Sequence, residues 1–182
     1  MKNRLTLITG GCKSGKSRYA LKVAESYDRK AFIATAEPID DEMKSRIKNH
    51  QAERGPDFTT IEEPLDLAGA LAAIPPDIQV VIIDCMTVWL GNLMHYQQVD
   101  RVDCLPVETF LSALRSPPCH VVVVSNELGM GLVPVDGMSR VYRDMAGALN
   151  QRIAALADNV IFVVSGLGLP LKGNGYQKKS YI

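Results

Sequence analysis

The sequence predicts an α/β domain in which a mostly parallel β-sheet is flanked by helices. Short runs of β-branched and other apolar residues recur along the chain, and such runs are typical of strands buried on both faces. Segments with helical periodicity separate these runs, and that alternation favours parallel strands joined by helices. With 182 residues, 47% of them hydrophobic, the chain has the size and composition of one domain with a substantial core.

Each predicted strand is a short apolar run, and each predicted helix is a segment with helical periodicity. The strands are predicted at 5–9, 31–35, 80–84, 121–125 and 160–165, and the helices at 16–27, 41–54, 65–73, 87–96, 106–116 and 139–157. Ligands in such folds gather at the carboxyl ends of the strands. The residues that follow each strand are therefore the first candidates for a site.

Charge and cysteine content restrict the kinds of partner that we expect. Twenty basic residues balance twenty acidic ones, and no run of five like charges occurs, which argues against a nucleic-acid groove or a membrane-binding face. The four cysteines lack the spacing of a disulfide framework, and no apolar stretch approaches the ~18 residues of a membrane span. We expect a cytoplasmic protein with a single catalytic domain over residues 1–172 and a loosely held polar tail over 173–182.

The most specific motif, GGCKSGKS, directly follows the first predicted strand and precedes the first predicted helix. It matches the phosphate-binding pattern G-x-x-x-x-G-K-[ST] and consists of Gly10, Gly11, Cys12, Lys13, Ser14, Gly15, Lys16 and Ser17. The glycines allow successive backbone N–H groups to face one anion, and the helix adds its positive end. Lys16 is predicted to reach the β- and γ-phosphates, and Ser17 to ligate Mg²⁺. Lys13 is either a second cation at the phosphates or a solvated surface lysine.

Asp84 supplies the second oxygen ligand that such a site needs. It ends the predicted strand 80–84, at the same edge of the sheet as the loop, where a carboxylate can hold the Mg²⁺ of a bound ATP or GTP. Strand, loop and carboxylate together predict a three-layer P-loop NTPase fold of the RecA-like type. Kinases, motor ATPases and signalling switches all use such sites, so the motif alone leaves these activities open.

One histidine stands out in the stretch DDEMKSRIKNHQAERG, which begins at residue 40. The stretch is predicted as a helix that an aspartate caps and Gly55 ends. Met43, Ile47 and His50 share one helical stripe, so the histidine points toward the body of the protein. Two interpretations remain open: a core histidine whose ring bonds to backbone, or a nucleophile that attacks phosphorus near the P-loop.

The chain also resembles a known family over nearly its whole length. The stretches ITGGCKSGKSRYA, IATAEPIDDEMKSRIKNHQAER, TIEEPLDL, IIDCMTVWLGNL, VSNELGMGLVP and RVYRDMAGALNQRIAALADNVIFVVSGLGLPLK carry the resemblance. The family is the bifunctional adenosylcobinamide kinase / adenosylcobinamide-phosphate guanylyltransferase of cobalamin biosynthesis. The D-E-M-x-x-R-I-x-x-H run and the SNELGMGLVP loop are its most specific parts, because ordinary P-loop proteins lack them.

The resemblance implies two reactions at one nucleotide site. A kinase step moves the γ-phosphoryl of ATP or GTP onto adenosylcobinamide, and the histidine matching His50 then carries GMP from GTP to adenosylcobinamide phosphate. It further implies a homotrimer with a corrinoid substrate. Beside the P-loop, the resemblance places these residues at the nucleotide: Ala34, Thr35, Ala36, Gln51, Ala52, Glu53, Arg54, Glu62 and Asp84. The alternatives are a kinase without guanylyl transfer and a nucleotide-dependent switch.

Overall fold

A computed structural model describes residues 4–55 and 57–173, apart from the side chains of Arg46, Asn49, His50 and Glu53. The predicted tail, 173–182, therefore lies outside the described residues except for Gly173. No helix within the described ranges is long and apolar enough to cross a membrane.

Strands and helices alternate along the described chain. The strands are β1 (Leu5–Gly10), β2 (Lys30–Ala34), β3 (Phe58–Glu62), β4 (Val80–Asp84), β5 (His120–Asn126), β6 (Asn159–Val164) and β7 (Leu167–Lys172). The helices are α1 (Lys16–Ala24), α2 (Asp41–Arg54), α3 (Leu67–Ala72), α4 (Met86–Gln97), α5 (Leu105–Arg115) and α6 (Gly137–Leu156).

The strands form one sheet in the order β3-β2-β4-β5-β1-β6-β7. Neighbouring strands are parallel throughout, except that β7 runs antiparallel to β6. The central strands β1, β4 and β5 are almost entirely buried because helices cover both faces, which explains their uninterrupted apolar sequences. The predicted fold class, a mostly parallel sheet flanked by helices, is confirmed.

Two apolar clusters pack on the opposite faces of the sheet and make the fold three-layered. Alternate residues of β1 point to opposite sides, so that Leu7 belongs to one cluster and Ile8 to the other. The larger cluster joins the sheet to α3, α4, α5 and α6, and contains Trp89 and Phe110 with ring centroids 5.1 Å apart. The smaller one joins the sheet to α1 through Ala20 and other small residues.

The two edge strands were not predicted. The side chains of β3 are exposed or half-buried, and β7 is largely exposed and contains Gly168 and Pro170. An edge strand is covered on fewer sides than a central one, so it does not need a continuous apolar run and it tolerates proline. Strands were predicted from continuous apolar runs, which indicate burial on both faces, and this criterion does not detect β3 or β7.

Two predicted elements extend beyond the observed ones at their carboxyl ends. Helix α1 ends at Ala24 rather than at Tyr27, whose hydroxyl is hydrogen-bonded to His120 Nδ1 at 2.7 Å. The predicted strand 160–165 ends at Val164, since Ser165 adopts a φ of 52° and opens the turn into β7. The remaining predicted elements agree with the observed ones to within two residues at either end, and those at 41–54 and 80–84 coincide with them.

Candidate active site

A cavity of about 600 Å³ opens at the carboxyl edge of the sheet, a volume in the range of small-molecule sites. The P-loop, helix α2, the ends of β4 and β5 and the β6–β7 turn surround it. Its lining residues are Cys12, Lys13, Ser14, Gly15, Lys16, Ser17, Arg18, Phe32, Ala34, Ala36, Met43, Ile47, Arg54, Asp84, Cys85, Val88, Asn126, Ser165 and Gly166.

The P-loop takes a backbone path that its glycines make possible. Gly15 has a φ of 98° immediately before α1, in the left-handed region where a side chain is strained. A side chain at Gly10 would collide with the carbonyl of Val163 on β6. The N–H of Gly166 donates to the carbonyl of Ser14 at 2.8 Å, so the β6–β7 turn holds the loop from outside.

Lys16 stands buried at the start of α1, with 6% of its surface exposed. Its Nζ donates to the carbonyl of Gly11 at 2.6 Å, within the loop itself. Burial lowers the pKa of Lys16, while the charges of Asp84, Cys85 and Cys12 act in the opposite direction. A partly desolvated ammonium interacts more strongly with an anion than one in water. Lys16 is thus suited to hold phosphate oxygens.

Ser17 and Asp84 both line the cavity beside Lys16. A hydroxyl and a carboxylate are the oxygen ligands that Mg²⁺ prefers, and the ion usually completes its shell with water and substrate phosphates. The described residues contain no group of three or more His, Cys, Asp or Glu side chains that would hold a metal by themselves. This donor set fits a nucleotide-bound Mg²⁺ held by Ser17 and Asp84.

A buried hydroxyl in the loop supports binding of an oxyanion there. Ser14 lines the cavity, and its Oγ is buried without a hydrogen-bond partner among the described residues. A buried hydroxyl without a partner is energetically costly. A phosphate oxygen within the loop would accept its hydrogen bond.

Helix α2 forms the wall opposite the P-loop. Asp40 caps it by accepting a hydrogen bond from the N–H of Met43 at 2.7 Å. Met43 and Ile47 line the cavity, as the predicted apolar stripe requires. His50 follows Ile47 by three residues on the same helix and precedes Arg54 by four, while its side chain lies outside the described residues.

Arg54 brings a positive charge to the same wall. Its guanidinium carbon lies 4.0 Å from the centre of the Phe32 ring, within the range of a cation–π interaction. Burial lowers the pKa of Arg54, opposed by the charges of Asp84 and Glu62. The carboxylates of Glu62 and Asp84, at the ends of the two strands that flank β2, therefore both act on this arginine.

Of residues 34–36, at the end of β2, two line the cavity and one is buried. Ala34 and Ala36 line the cavity. Thr35 is buried between them, and its hydroxyl donates to the carbonyl of Cys85 at 2.9 Å and accepts from the N–H of Cys85 at 2.8 Å. Thr35 thus ties the end of β2 to the end of β4 and does not face the cavity.

The remaining predicted residues lie at the margin. Gln51 and Ala52 are exposed on α2 and do not line the cavity, and the side chain of Glu53 lies outside the described residues. Glu62 ends β3 level with Ala34, exposed, and contributes through its charge on Arg54. The structure therefore separates these positions from those that line the cavity.

The cavity also contains residues that sequence reasoning did not single out. Ser165 and Gly166 enter from the β6–β7 turn, Phe32 and Val88 supply apolar surface, and Arg18 lies on α1. Ser165 ends the predicted strand 160–165 and Gly166 follows it at the ligand-bearing edge, so the rule applied to the other strands would have found them. The apolar residues carry no comparable signal, because the same residue types fill the core.

Comparison with solved structures agrees with the fold. The chain aligns with a prototypical ATPase from the type III secretion system of pathogenic bacteria at a TM-score of 0.51 and 11% identity, over 92% of this chain and 56% of that one. At this identity the likeness concerns the fold alone, and it is consistent with a RecA-like P-loop NTPase.

Sequence comparison identifies the family. Residues 6–171 match the model of the family described as cobinamide kinase / cobinamide phosphate guanyltransferase. The bifunctional adenosylcobalamin biosynthesis protein CobP of Pseudomonas aeruginosa is 44% identical over 168 residues, covering 92% of this chain and 96% of the relative. Its counterpart CobU of Escherichia coli is 34% identical over 180 residues, covering 92% and 99%. The chain belongs to the cobinamide kinase / cobinamide phosphate guanyltransferase family of bifunctional transferases.

Proposed function

We propose that this enzyme phosphorylates adenosylcobinamide with ATP or GTP and then transfers GMP from GTP to adenosylcobinamide phosphate through a covalent histidine–GMP intermediate on His50. The observation that carries the proposal is the cavity itself, which has the P-loop on one wall and helix α2 on the other. One bound triphosphate would then offer its γ-phosphorus to a kinase acceptor and its α-phosphorus to the helix.

In the kinase step, the P-loop holds the triphosphate while the acceptor hydroxyl attacks the γ-phosphorus. The backbone N–H groups of the loop and the buried ammonium of Lys16 stabilise the charge on the phosphate oxygens. Ser17 and Asp84 would hold Mg²⁺, which when bound neutralises part of the phosphate charge. The nucleoside diphosphate leaves, and adenosylcobinamide phosphate is formed.

In the guanylyl step, a neutral imidazole nitrogen of His50 attacks the α-phosphorus of GTP. The N–P bond forms as the bond to the bridging oxygen breaks, and pyrophosphate leaves. Arg54, four residues further along α2 and at the cavity, pairs with phosphate charge during this exchange. A phosphate oxygen of adenosylcobinamide phosphate then attacks the same phosphorus and releases the imidazole, giving adenosylcobinamide-GDP.

The substrates of this proposal are nucleotides and a corrinoid, and the assembly that we propose from family resemblance is a cytoplasmic homotrimer. Relatives of the chain are named as adenosylcobalamin biosynthesis proteins, which supports the corrinoid assignment. The exposed leucines of β7, Leu167, Leu169 and Leu171, are compatible with an assembly in which further surface is covered.

Substitution of His50 tests the covalent intermediate directly. The His50→Asn variant is expected to retain no label from α-labelled GTP after denaturation, because asparagine cannot form the N–P bond. Transfer of the γ-phosphoryl group to adenosylcobinamide should stay largely intact, since that step needs no covalent intermediate. The wild-type adduct should be lost in acid and survive alkali, as expected for a phosphoramidate.

His95→Asn provides the matched control, because His95 is an exposed histidine near the end of α4 and does not line the cavity. This variant should carry the label as the wild type does. An acid-labile GMP adduct on the His50→Asn protein would remove His50 from the nucleophile's role. A wild-type protein that transfers γ-phosphate but never retains label would reduce the function to a kinase.

A further inference from the structure

Asn126 ends strand β5 at the centre of the site. The strand order places β5 between β4, which ends at Asp84, and β1, which leads into the P-loop. Val124 is level with Asp84, so Asn126 lies two residues further along the strand, level with Gly10. Its side chain lines the cavity. Asn126 therefore stands between the two elements that would hold the triphosphate and its Mg²⁺.

The position of the Asn126 side chain is fixed by a buried hydrogen-bond network. Its Nδ2 donates to Thr87 Oγ1 at 2.7 Å, and Thr87 is buried at the start of α4. The carbonyl of Thr87 accepts from the hydroxyl of Tyr142 at 2.8 Å, and the carbonyl of Asn126 accepts from Asn150 Nδ2 at 3.0 Å. Helices α4 and α6 thus hold this residue from two sides.

The orientation of the amide decides what it offers to a ligand. One N–H of Nδ2 is donated to Thr87 and a second N–H remains, while Oδ1 is the acceptor of the side chain and no hydrogen bond joins it to another described residue. An amide oxygen accepts hydrogen bonds and does not bind phosphate oxygens, which lack a proton at neutral pH. The lysines of the loop and Arg54 already supply donors for phosphate. Oδ1 is suited instead to a hydroxyl.

We propose that Asn126 Oδ1 accepts a hydrogen bond from the hydroxyl group of the kinase substrate and directs its oxygen at the γ-phosphorus. This proposal rests on the kinase activity proposed above. The hydroxyl oxygen forms a bond to the γ-phosphorus while the bond from that phosphorus to the β–γ bridging oxygen breaks. The amide does not take the proton, which passes to an oxygen of the transferred phosphoryl group. Thr87 acts as the positioning residue that holds the amide.

This role separates the two reactions of the enzyme. Attack of an imidazole on the α-phosphorus of GTP involves no substrate hydroxyl, so formation of the GMP adduct does not need Asn126. A residue that merely supported the P-loop or the nucleotide would instead affect both reactions together. The ratio of the two rates therefore distinguishes a hydroxyl-directing group from a structural one.

The test is Asn126→Ala, assayed with γ-labelled ATP and adenosylcobinamide for the kinase step and with α-labelled GTP for adduct formation. We expect the kinase kcat to fall on the order of 10²-fold, as when a reacting group loses its orientation. The KM for ATP and the rate of adduct formation should stay within about twofold of wild type. Thr87→Val, similar in shape, should lower the kinase kcat about fivefold, the effect of one lost neutral hydrogen bond.

Asn159→Ala is the matched control, because Asn159 begins β6 at the opposite end of the sheet and should leave both rates unchanged. Equal losses in both reactions, or an unchanged kinase rate in Asn126→Ala, would overturn the proposal. Should Asn126→Ala fail to fold, Thr87→Val decides by the same ratio of rates. A wild-type protein that does not phosphorylate adenosylcobinamide would refute the proposed kinase function itself, which is a separate outcome.

Discussion

Lys16 carries a positive charge into the protein interior, and in the proposed function both reactions depend on this side chain. Its ammonium is held by the carbonyl of Gly11 and surrounded by Cys12, Cys85 and Asp84. A triphosphate bound in the loop would exchange the carbonyl for phosphate oxygens without moving the lysine far. The same charge serves whether the α- or the γ-phosphorus is attacked.

Lys16→Ala is accordingly expected to impair both transfer reactions. The expected loss is several kcal/mol of transition-state stabilisation in each, about 10²-fold or more in kcat/KM. The measurement is turnover of the purified variant with adenosylcobinamide and γ-labelled ATP, and adduct formation with α-labelled GTP. Lys22→Ala, an exposed lysine two turns along the same helix, is the control. Near wild-type turnover in either reaction would remove Lys16 from that step.

The individual residues of the site were predictable where a sequence motif requires a particular residue type at a fixed spacing. GGCKSGKS identified the loop, because phosphate binding needs glycines and a lysine at set spacing. The stack of Arg54 on Phe32 was not predictable, since it joins α2 to β2 across a gap that no local pattern encodes. The helix of His50 and its apolar stripe were predictable from spacing, whereas the nucleophilic role came from resemblance and stays a prediction.

Elements were predictable where burial is complete. The five internal strands had uninterrupted apolar runs because helices cover both faces of the sheet. Strands β3 and β7 lie at its edges and carry mixed sequences, so their pairing depends on neighbours that only the folded chain supplies. The turn at Ser165 and Gly166, which precedes β7, was missed as well, although the rule for strand ends applies to it.

At the amino ends of the strands, opposite the cavity, His120 links three elements. It begins β5, its Nε2 hydrogen-bonds Thr6 Oγ1 of β1 at 3.0 Å, and its Nδ1 hydrogen-bonds the hydroxyl of Tyr27 after α1. Burial, reinforced by the charge of Arg4 and opposed by that of Asp158, lowers the pKa of His120 from 6.5 to about 4. These contacts give His120 a packing role.

The lowered pKa of His120 makes stability depend on pH. Between about pH 6.5 and 4 the unfolded chain binds a proton that the folded chain does not, so the free energy of unfolding falls as the pH is lowered through this range. The contribution is fully present above pH 6.5, and its loss by pH 4 is about 3 kcal/mol.

His120→Gln should therefore flatten this pH dependence, while being less stable than wild type at pH 7 by about 1–2 kcal/mol because the ring contacts are lost. Urea midpoints at several pH values between 4 and 7.5 measure the effect. The exposed His95, replaced in the same way, should leave the wild-type profile unchanged. An equally steep profile in His120→Gln would show that other groups cause the dependence.

On the scale of the whole molecule, the site depends on residues far apart in the sequence. Gly10 and Asn126 become neighbours because β1 pairs with β5, and Ser14 meets Gly166 because β6 and β7 return to the same edge. Local patterns identified several of these residues, but only the order of strands shows that they face one cavity. The turn between β6 and β7 is thus part of the support for the P-loop.

Two shortened chains test where the folded domain ends. A chain that stops after Gly173 keeps β7 and the hydrogen bonds that Lys172 Nζ donates to the carbonyls of Ala154 and Ala155. Its melting temperature should lie within about 2 °C of the full chain, and both activities should persist, since the core and cavity residues among those that the structure describes all precede this point. Differential scanning calorimetry with and without Mg²⁺ and GTP gives the melting temperature and its increase on ligand binding. The two labelled-nucleotide assays give the activities.

A chain that stops after Ser165 should behave differently. It lacks β7, leaves the backbone of β6 unpaired along one side, and loses the hydrogen bond from the N–H of Gly166 to Ser14 that holds the P-loop. We expect a lower melting temperature and little stabilisation by GTP, because a ligand raises the melting temperature only when it binds the folded form. Equal stabilisation of both shortened chains would show that the loop does not depend on β7. A large loss on removing residues 174–182 alone would place those residues within the folded domain.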